Sequence, residues 1–255
     1  MMMNFTLSNQ VQIPAVGIGT FMMTPDQAEQ PVVDALACGY RMIDTAQAYM
    51  NERAVGRGIK RSGVAREDIF ISTKIWVSQY LTEGTVEKSL ELLGTDYIDL
   101  MFIHQPAGDF MAGYRKLETV AIRPMVNQIE MHPYFAQESA LKVMEEYQIV
   151  PEAWAPLGGG RHNPFDNEMV KEIAAAHRKT VGQVVLRWNV QRGVVVIPKS
   201  VHKARIEENF QIWDFTLTEE EMQKISSLDL GYQGTAVKHF DPEFVKMCNT
   251  RKIHE

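Results

Sequence analysis

The sequence predicts an α/β fold in which parallel strands alternate with helices, as in a (β/α) barrel of the TIM type. Strand-like and helix-like segments alternate along the chain. The strand-like segments are short and nearly continuously apolar, such as residues 98–103, as expected of a parallel sheet covered on both faces. No linker or change of composition divides the 255 residues, so we predict a single barrel domain, residues 1–255.

The predicted elements begin with a small N-terminal β-hairpin, because polar and apolar residues alternate over 4–13. The first helix starts at Thr24 and Pro25, a pair typical of helix starts, and ends at Gly39. Further helices are predicted at 51–61, 82–93, 110–120, 139–148, 167–177, 181–191, 204–210 and from 218. The core strands are predicted at 15–20, 40–45, 69–74, 97–104, 125–130, 149–155 and 194–198, one fewer than in a complete barrel. The polar tail, 231–255, is expected to wrap the surface or fray.

Composition excludes several classes of function. A formal charge of −6 argues against nucleic-acid or anionic-membrane partners, which favour a basic face. The two cysteines, Cys38 and Cys248, form no disulfide framework or metal-binding spacing, so we expect a cytoplasmic protein, with Cys38 buried as apolar filler. We predict no metal site, because the remaining candidate ligands show no metal-ligand spacing: His132, His162 and His177.

Polar residues capable of chemistry stand at the ends of successive predicted strands. Asp44 ends one strand and Tyr49 follows it, Lys74 ends the next, and His104 ends the third. Because the carboxyl ends of parallel barrel strands open on one face, these four side chains are expected to converge. A lysine ammonium beside a tyrosine favours the phenolate, and a carboxylate would hold the lysine. The tyrosine would then donate a proton to an oxygen that the histidine orients.

Each of these residues also has an ordinary structural interpretation. Asp44 alone could cap a turn, Tyr49 could anchor a surface loop, and His104 could be a core histidine. A lysine at the end of an apolar strand, such as Lys74, needs a partner in any case. The four residues together indicate a catalytic site much more specifically than any one of them alone.

Five motifs make the chain resemble the aldo-keto reductase family. They are Asp44-x-Ala46-x-x-Tyr49-x-Asn51-Glu52, Thr73-Lys74-x-Trp76, Tyr97-x-Asp99-Leu100-x-x-Ile103-His104, Val126-Asn127-Gln128-x-Glu130-x-His132-Pro133, and Ile197-Pro198-Lys199-Ser200 followed by Arg205-Ile206-x-Glu208-Asn209. The likeness runs from about residue 5 to about 230 and is greatest to short bacterial members labelled 2,5-diketo-gluconate reductases. It implies an eight-stranded barrel that uses NADPH to reduce aldehydes or ketones to alcohols. By position, Tyr49 is the general acid, Lys74 and Asp44 tune it, and His104 orients the substrate carbonyl.

The resemblance also implies where NADPH/NADP+ binds. Lys199, Ser200 and Arg205 would bind the 2′-phosphate, and Glu208 and Asn209 would contact the adenine. A basic pair at a helix start suits a phosphate on physical grounds, although it could also be a solvated basic turn.

At the nicotinamide end, the same resemblance assigns Gln128 to the carboxamide and Trp154 to stacking on the ring. Thr20 lies near this end, and Leu157 also belongs to the cofactor-binding set. The residues expected to line a mostly apolar substrate pocket are Phe21, Trp76 and Gln105.

The chain departs from the family pattern after residue 118. The predicted helix 110–120 leads almost directly into the strand at 125–130, where the family has one more strand and helix, about 30 residues. The absent segment normally supplies a serine and an asparagine that help Gln128 hold the carboxamide. A smaller closed or nearly closed barrel of seven core strands is favoured over one with a gap. The printed chain could also omit residues of the protein.

The sequence therefore predicts a bacterial, cytoplasmic, monomeric NADPH-dependent oxidoreductase that acts on a small carbonyl compound. The alternative is an impaired or non-catalytic relative that keeps the cofactor-binding residues. The complete set of four catalytic candidates favours the first interpretation, and the missing segment favours the second.

Overall fold

The structure, a computed structural model of the chain, describes residues 3–118, 124–159, 162–231, 241–251 and 253. The described residues group into two compact units, which we name after their parallel sheets. The four-stranded unit comprises the described residues of 18–123, 200–203 and 237–255. The three-stranded unit comprises those of 1–17, 124–199 and 204–236.

The strands and helices follow one another largely as the sequence predicts. The strands are β1 (Asn4–Thr6), β2 (Gln12–Pro14), β3 (Ile18–Gly19), β4 (Met42–Asp44), β5 (Phe70–Ile75), β6 (Leu100–Ile103), β7 (Val126–Glu130), β8 (Val150–Trp154) and β9 (Val195–Val196). The α-helices are α1 (Pro25–Cys38), α2 (Glu52–Ser62), α3 (Thr85–Leu93), α4 (Phe110–Glu118), α5 (Glu138–Glu146), α6 (Glu168–His177), α7 (Val181–Gln191), α8 (Lys203–Phe210), α9 (Glu219–Ser226) and α10 (Pro242–Thr250).

The four-stranded unit is a parallel sheet in the order β3-β4-β5-β6, flanked by helices. All six residues of β5 are buried, as expected of a strand covered on both faces. Helices α1 and α2 pack closely because Gly58 has no side chain. A Cβ at Gly58 would lie 2.8 Å from the Cβ of Val32.

The three-stranded unit contains the antiparallel hairpin β1-β2 and a parallel sheet in the order β7-β8-β9. Its apolar core includes Val184, Val185 and Trp188 of α7, all fully buried. Helices α7 and α9 both begin with a capping box, in which Thr180 and Thr218 pair with the residues three positions later. The start predicted for the helix after 218 is therefore confirmed.

Some boundaries differ from the prediction. The predicted strands 15–20 and 97–104 shorten to β3 and β6. Val16, just before β3, forms a separate parallel bridge with Val196. The helix predicted at 110–120 is described as far as Glu118, and the junction at 119–123 lies outside the described residues. Cys38 is partly exposed rather than buried.

Of the two alternatives expected for the tail, fraying is wrong for residues 242–250, which form α10. Cys248 is fully buried and Ile253 is 7% exposed, and both join an apolar cluster around Trp76. Burial of these apolar side chains stabilises the helix despite its polar composition. Within the described part of the chain, no helix is both long enough and apolar enough to cross a membrane.

Candidate active site

The register of the four-stranded sheet places the predicted catalytic residues at one end of the sheet. Asp44, the last residue of β4, lies opposite Ser72 of β5, and Lys74 follows two residues later on the same face of β5. His104 comes directly after β6, and its backbone N–H donates to the carbonyl of Ile75 at 3.0 Å. The predicted convergence of Asp44, Lys74 and His104 at the carboxyl ends of the strands is confirmed.

Asp44 and Lys74 form a buried ion pair. The Nζ of Lys74 lies 2.7 Å from Oδ1 and 2.6 Å from Oδ2 of Asp44, and each side chain is 2% exposed. The same Nζ donates to the carbonyl oxygen of Thr45 at 2.8 Å, and the hydroxyl of Ser72 donates to Asp44 Oδ1 at 2.8 Å. A buried charge pair with this many hydrogen bonds is held in one geometry.

Tyr49 and His104 complete the group. Tyr49 ends a short 3-10 turn that follows β4, and the Nζ of Lys74 lies 5.2 Å from the centre of its ring. The rings of Tyr49 and His104 meet edge to face with centres 5.5 Å apart. The structure therefore brings together all four residues that the sequence singled out.

His104 is held in its neutral form. Burial lowers the pKa of its imidazole well below 6.5, and the positive charges of Lys74 and Arg251 lower it further. Its Nδ1 is buried and has no hydrogen-bond partner among the described residues. A neutral imidazole carries one N–H donor, which is what an approaching carbonyl oxygen requires.

Asn51 secures the loop that carries these residues. Its side-chain amide donates to the carbonyl oxygens of Thr20 and Met23, each at 3.0 Å, and accepts from the hydroxyl of Thr45 at 2.8 Å. The hydroxyl of Thr20 donates to the carbonyl of Asp44 at 3.0 Å. Thr20, predicted near the nicotinamide, is thus a fully buried part of the wall around Asp44.

Two of the predicted substrate-pocket residues contact Tyr49 or His104. The ring of Phe21 is 54% exposed and lies 5.1 Å from that of Tyr49. The ring of Trp76 is buried and lies edge-on to His104 at 5.0 Å. The backbone N–H of Gln105 donates to the hydroxyl of Tyr80 at 3.2 Å. Phe21 and Trp76 thus place apolar rings beside Tyr49 and His104, and Gln105 follows His104 in the chain.

In the three-stranded unit, Gln128 lies opposite Glu152 in the pairing of β7 with β8. The amide nitrogen of Gln128 donates to Oε1 of Glu152 at 2.6 Å, and Glu152 is fully buried. Trp154, at the end of β8, is partly exposed, and Leu157 packs against the core of this unit. Glu152 fixes the amide plane of Gln128.

The predicted phosphate- and adenine-binding residues differ in their exposure. Lys199 and Arg205 are exposed, whereas Asn209 is 6% exposed. Oε1 of Glu208 accepts from the hydroxyl of Thr180 at 2.8 Å. Ser200, which is grouped with the four-stranded unit, is buried, and its Oγ accepts from the backbone N–H of His202 at 3.1 Å.

Comparison with known proteins decides the family. The sequence model of the Aldo/keto reductase family matches residues 15–120 and 111–230. The chain belongs to the aldo/keto reductase family. Among relatives of this family, the 9,11-endoperoxide prostaglandin H2 reductase of Trypanosoma cruzi is 42% identical over 257 residues, covering 88% of this chain and 90% of the relative. The glyoxal reductase of Bacillus subtilis is 41% identical over 254 residues, covering 88% and 91%.

Solved structures of aldo-keto reductases share the fold. An aldo-keto reductase from a deep-sea metagenome has a TM-score of 0.87 at 37% identity, covering 92% of this chain and 97% of that protein. The Bombyx mori aldo-keto reductase, solved in complex with NADP, has a TM-score of 0.86 at 29% identity, covering 96% and 97%. The predicted α/β fold of the aldo-keto reductases is confirmed.

Sequence reasoning missed several residues of this aldo-keto reductase site. Ser72 could have been found, because it precedes Lys74 by two positions and so shares its face of β5. The carbonyl of Thr45, which accepts from Lys74, carries no signal in the sequence. Arg251 had no local signal either, since it lies in the tail that was expected to fray.

Proposed function

We propose that the protein is an NADPH-dependent oxidoreductase that reduces aldehydes or ketones to alcohols, with Tyr49 as the proton donor. The observation that carries this proposal is the buried Asp44–Lys74 pair beside the rings of Tyr49 and His104. The names of the relatives, a glyoxal reductase among them, support a carbonyl substrate.

The four residues have distinct roles in the proposed reaction. Tyr49 gives its hydroxyl proton to the substrate oxygen as hydride adds to the carbonyl carbon, so that the C=O group becomes an alcohol. The charge of Lys74 stabilises the phenolate that remains, and Asp44 holds Lys74 in place. Neutral His104 donates a hydrogen bond that orients the carbonyl oxygen. Solvent then returns a proton to Tyr49.

NADPH supplies the hydride when it is bound. The donor chemistry fits this cofactor: Lys199 and Arg205 offer exposed cations for a 2′-phosphate, and Trp154 offers a partly exposed ring for stacking. Gln128, oriented by Glu152, is proposed to bind the carboxamide. The remaining proposed contacts are Thr20, Leu157, Ser200, Glu208 and Asn209. The Bombyx mori relative solved with NADP supports a nicotinamide cofactor.

The absence of one strand–helix unit after residue 118 is part of the proposal. In support, the family model matches in two pieces, residues 15–120 and 111–230, and their overlap contains the position of the proposed deletion. The match to the Trypanosoma cruzi relative spans 257 positions but only 88% of this chain's 255 residues, about 224, so about 30 positions of the relative have no counterpart. We propose a single-domain, seven-strand barrel of this family, monomeric and in a bacterial cytoplasm.

The missing unit can be tested by restoring it. Inserting the unmatched segment of the Bacillus subtilis glyoxal reductase after Glu118 is expected to lower the KM for NADPH, because it restores polar contacts of about 1 kcal/mol each near Gln128. The measurement is the KM for NADPH and the urea midpoint of both proteins. An insertion that leaves the KM for NADPH unchanged argues against a lost unit at this position.

The catalytic proposal is tested by following NADPH oxidation with a small aldehyde. The Tyr49→Phe variant keeps the ring but loses the proton donor, and we expect turnover to fall by about 10²–10⁴-fold. NADPH binding, measured by fluorescence titration, should be unchanged. Binding without turnover in either protein would instead support a non-catalytic relative.

A further inference from the structure

Gln47 belongs to the short turn that carries Tyr49, and its side chain is buried. The 3-10 turn has three residues, and the backbone N–H of Tyr49 closes it by donating to the carbonyl oxygen of Ala46 at 3.0 Å. Met50, which follows, has a φ of 58°, a left-handed conformation that is unfavourable for a residue with a side chain. So short a turn has little stability of its own, and its position depends on the contacts of its residues.

The side-chain amide of Gln47 is hydrogen-bonded through both its nitrogen and its oxygen. Its Nε2 donates to Oγ of Ser89 at 3.1 Å, and to Oγ1 and the carbonyl oxygen of Thr85 at 3.1 and 3.2 Å. Its Oε1 accepts from the backbone N–H of Trp76 at 3.1 Å. Ser89 and Thr85 belong to α3, and Trp76 comes directly after β5. Gln47 therefore joins the turn both to α3 and to the end of β5.

A second connection joins the same two segments of the chain. Glu52 follows Tyr49 by three residues and is 2% exposed, and Thr73 directly precedes Lys74. The hydroxyl of Thr73 donates to Oε1 of Glu52 at 2.7 Å. Ser89, a partner of the first connection, also hydrogen-bonds the carboxyl group of Glu52. The two connections therefore flank Tyr49 in one segment and Lys74 in the other.

Gln47 is not placed to touch the reacting molecules. Its side chain is 1% exposed and offers no surface to a substrate or cofactor. The Thr73 side chain likewise lies on the face of β5 opposite to that of Lys74, because successive strand residues alternate. Any influence of Gln47 on the reaction is therefore exerted through Tyr49, whose ring centre lies 5.2 Å from the Nζ of Lys74.

We propose that Gln47 is a positioning residue, whose amide holds the turn of Tyr49 against the strand of Lys74 and so fixes the hydroxyl that protonates the substrate oxygen. The proposal rests on the carbonyl reduction proposed above. A proton donor misplaced by about 1 Å can lower turnover by about 100-fold. Loss of the Gln47 amide should therefore lower kcat and spare the binding of NADPH, most of whose proposed contacts lie in the three-stranded unit.

The first test measures NADPH oxidation with a small aldehyde in Gln47→Met. Methionine keeps the length of the side chain but removes its hydrogen bonds. We expect kcat to fall about tenfold or more, with the KM for NADPH within about twofold of wild type. The control is Gln191→Met in α7, which removes an amide bonded on both its atoms to the backbone of Leu217. This variant should keep the wild-type kcat, because Gln191 has no connection to the turn of Tyr49.

The second test observes Tyr49 without any turnover. Protein labelled with 3-fluorotyrosine is studied by fluorine NMR, and Tyr49→Phe identifies the signal of Tyr49 among those of the eight tyrosines. In Gln47→Met this signal should shift or broaden, because the ring is held less firmly. In Gln191→Met it should stay as in the wild type.

An unchanged kcat or an unchanged Tyr49 signal in Gln47→Met overturns the role of Gln47 and leaves the reductase proposal standing. An equal fall of kcat in Gln191→Met also overturns it, because the loss would then follow from stability alone. If the wild type reduces no aldehyde, the reductase proposal fails, and the Tyr49 signal by itself decides the role of Gln47.

A milder variant replaces Gln47→Met if that protein does not fold. Thr85→Val removes one acceptor of the Gln47 amide and leaves the bond to Trp76 in place. We expect kcat to fall about threefold and the Tyr49 signal to change in the same direction as proposed for Gln47→Met. A wild-type Tyr49 signal in Thr85→Val would rule the proposal out.

Discussion

The two units hold their candidate residues in different ways. In the four-stranded unit, Asp44 and Lys74 are buried and bonded to each other. In the three-stranded unit, Lys199 and Arg205 are exposed. The proposed chemistry therefore depends on a network that folding completes, whereas the proposed phosphate contacts depend on side chains that a ligand must order. Proton transfer requires fixed geometry, while phosphate binding tolerates mobile cations.

The largest expected effect comes from breaking the buried ion pair. Lys74→Met leaves Asp44 charged and buried, and we expect the free energy of unfolding to fall by about 3–5 kcal/mol. The double variant Asp44→Asn with Lys74→Met should lose less than the sum of the single variants. Urea unfolding at pH 7 measures all of them. If the losses of unfolding free energy add up, Asp44 and Lys74 are not coupled. The proposed difference between the two units would then be contradicted.

The exposed cations should affect ligand binding rather than stability. Replacing Lys199 or Arg205 by Gln removes a charge-assisted bond of about 1.5–3 kcal/mol, so the KM for NADPH should rise about 10- to 100-fold. The KM for NADH should change little, since NADH has no 2′-phosphate. The free energy of unfolding without cofactor should stay within about 0.5 kcal/mol of wild type. A larger loss of stability would mean that these side chains also take part in a folded network.

His104 should contribute to the pH dependence of the free energy of unfolding. Its folded pKa lies well below 6.5, so in the window below pH 6.5 the unfolded chain binds a proton that the folded chain does not. Stability should therefore fall as the pH drops below 6.5, by at most about 1.4 kcal/mol per pH unit from this group. The His104→Gln variant should lack this part of the slope, and the exposed His202→Gln variant should keep it. Identical slopes in wild type and His104→Gln would contradict a neutral, buried His104.

The smallest expected effect comes from removing the hydrogen bond that Ser72 donates to Asp44. Ser72→Ala removes one hydrogen bond to Oδ1 of Asp44 and should lower the free energy of unfolding by about 1 kcal/mol. The loss should vanish in an Asp44→Asn, Lys74→Met background if it acts through the charge pair. A cost of equal size in both backgrounds would show that Ser72 stabilises β5 independently of Asp44.

Much of the four-stranded unit could be predicted because its signals are local. Apolar runs mark β4, β5 and β6, and the polar residues that end them must meet once the strands run parallel. Strand lengths were overestimated, because an apolar run continues beyond the residues that pair. The tail is polar on average over its sequence, although Phe244, Val245 and Cys248 form an apolar face of α10. Because the prediction relied on the average composition, it missed this helix.

The sequence by itself determined the order of strands and helices, the family, and the four residues proposed to carry the chemistry. These depend on spacing along the chain, which periodicity and motifs report directly. Only the tertiary structure decided the three bonds of Lys74, the neutral state of His104 and the position of Arg251. Arg251 and Ala48 are 203 residues apart, and no rule of spacing relates them. Their contact exists because α10 buries Cys248 against the cluster around Trp76.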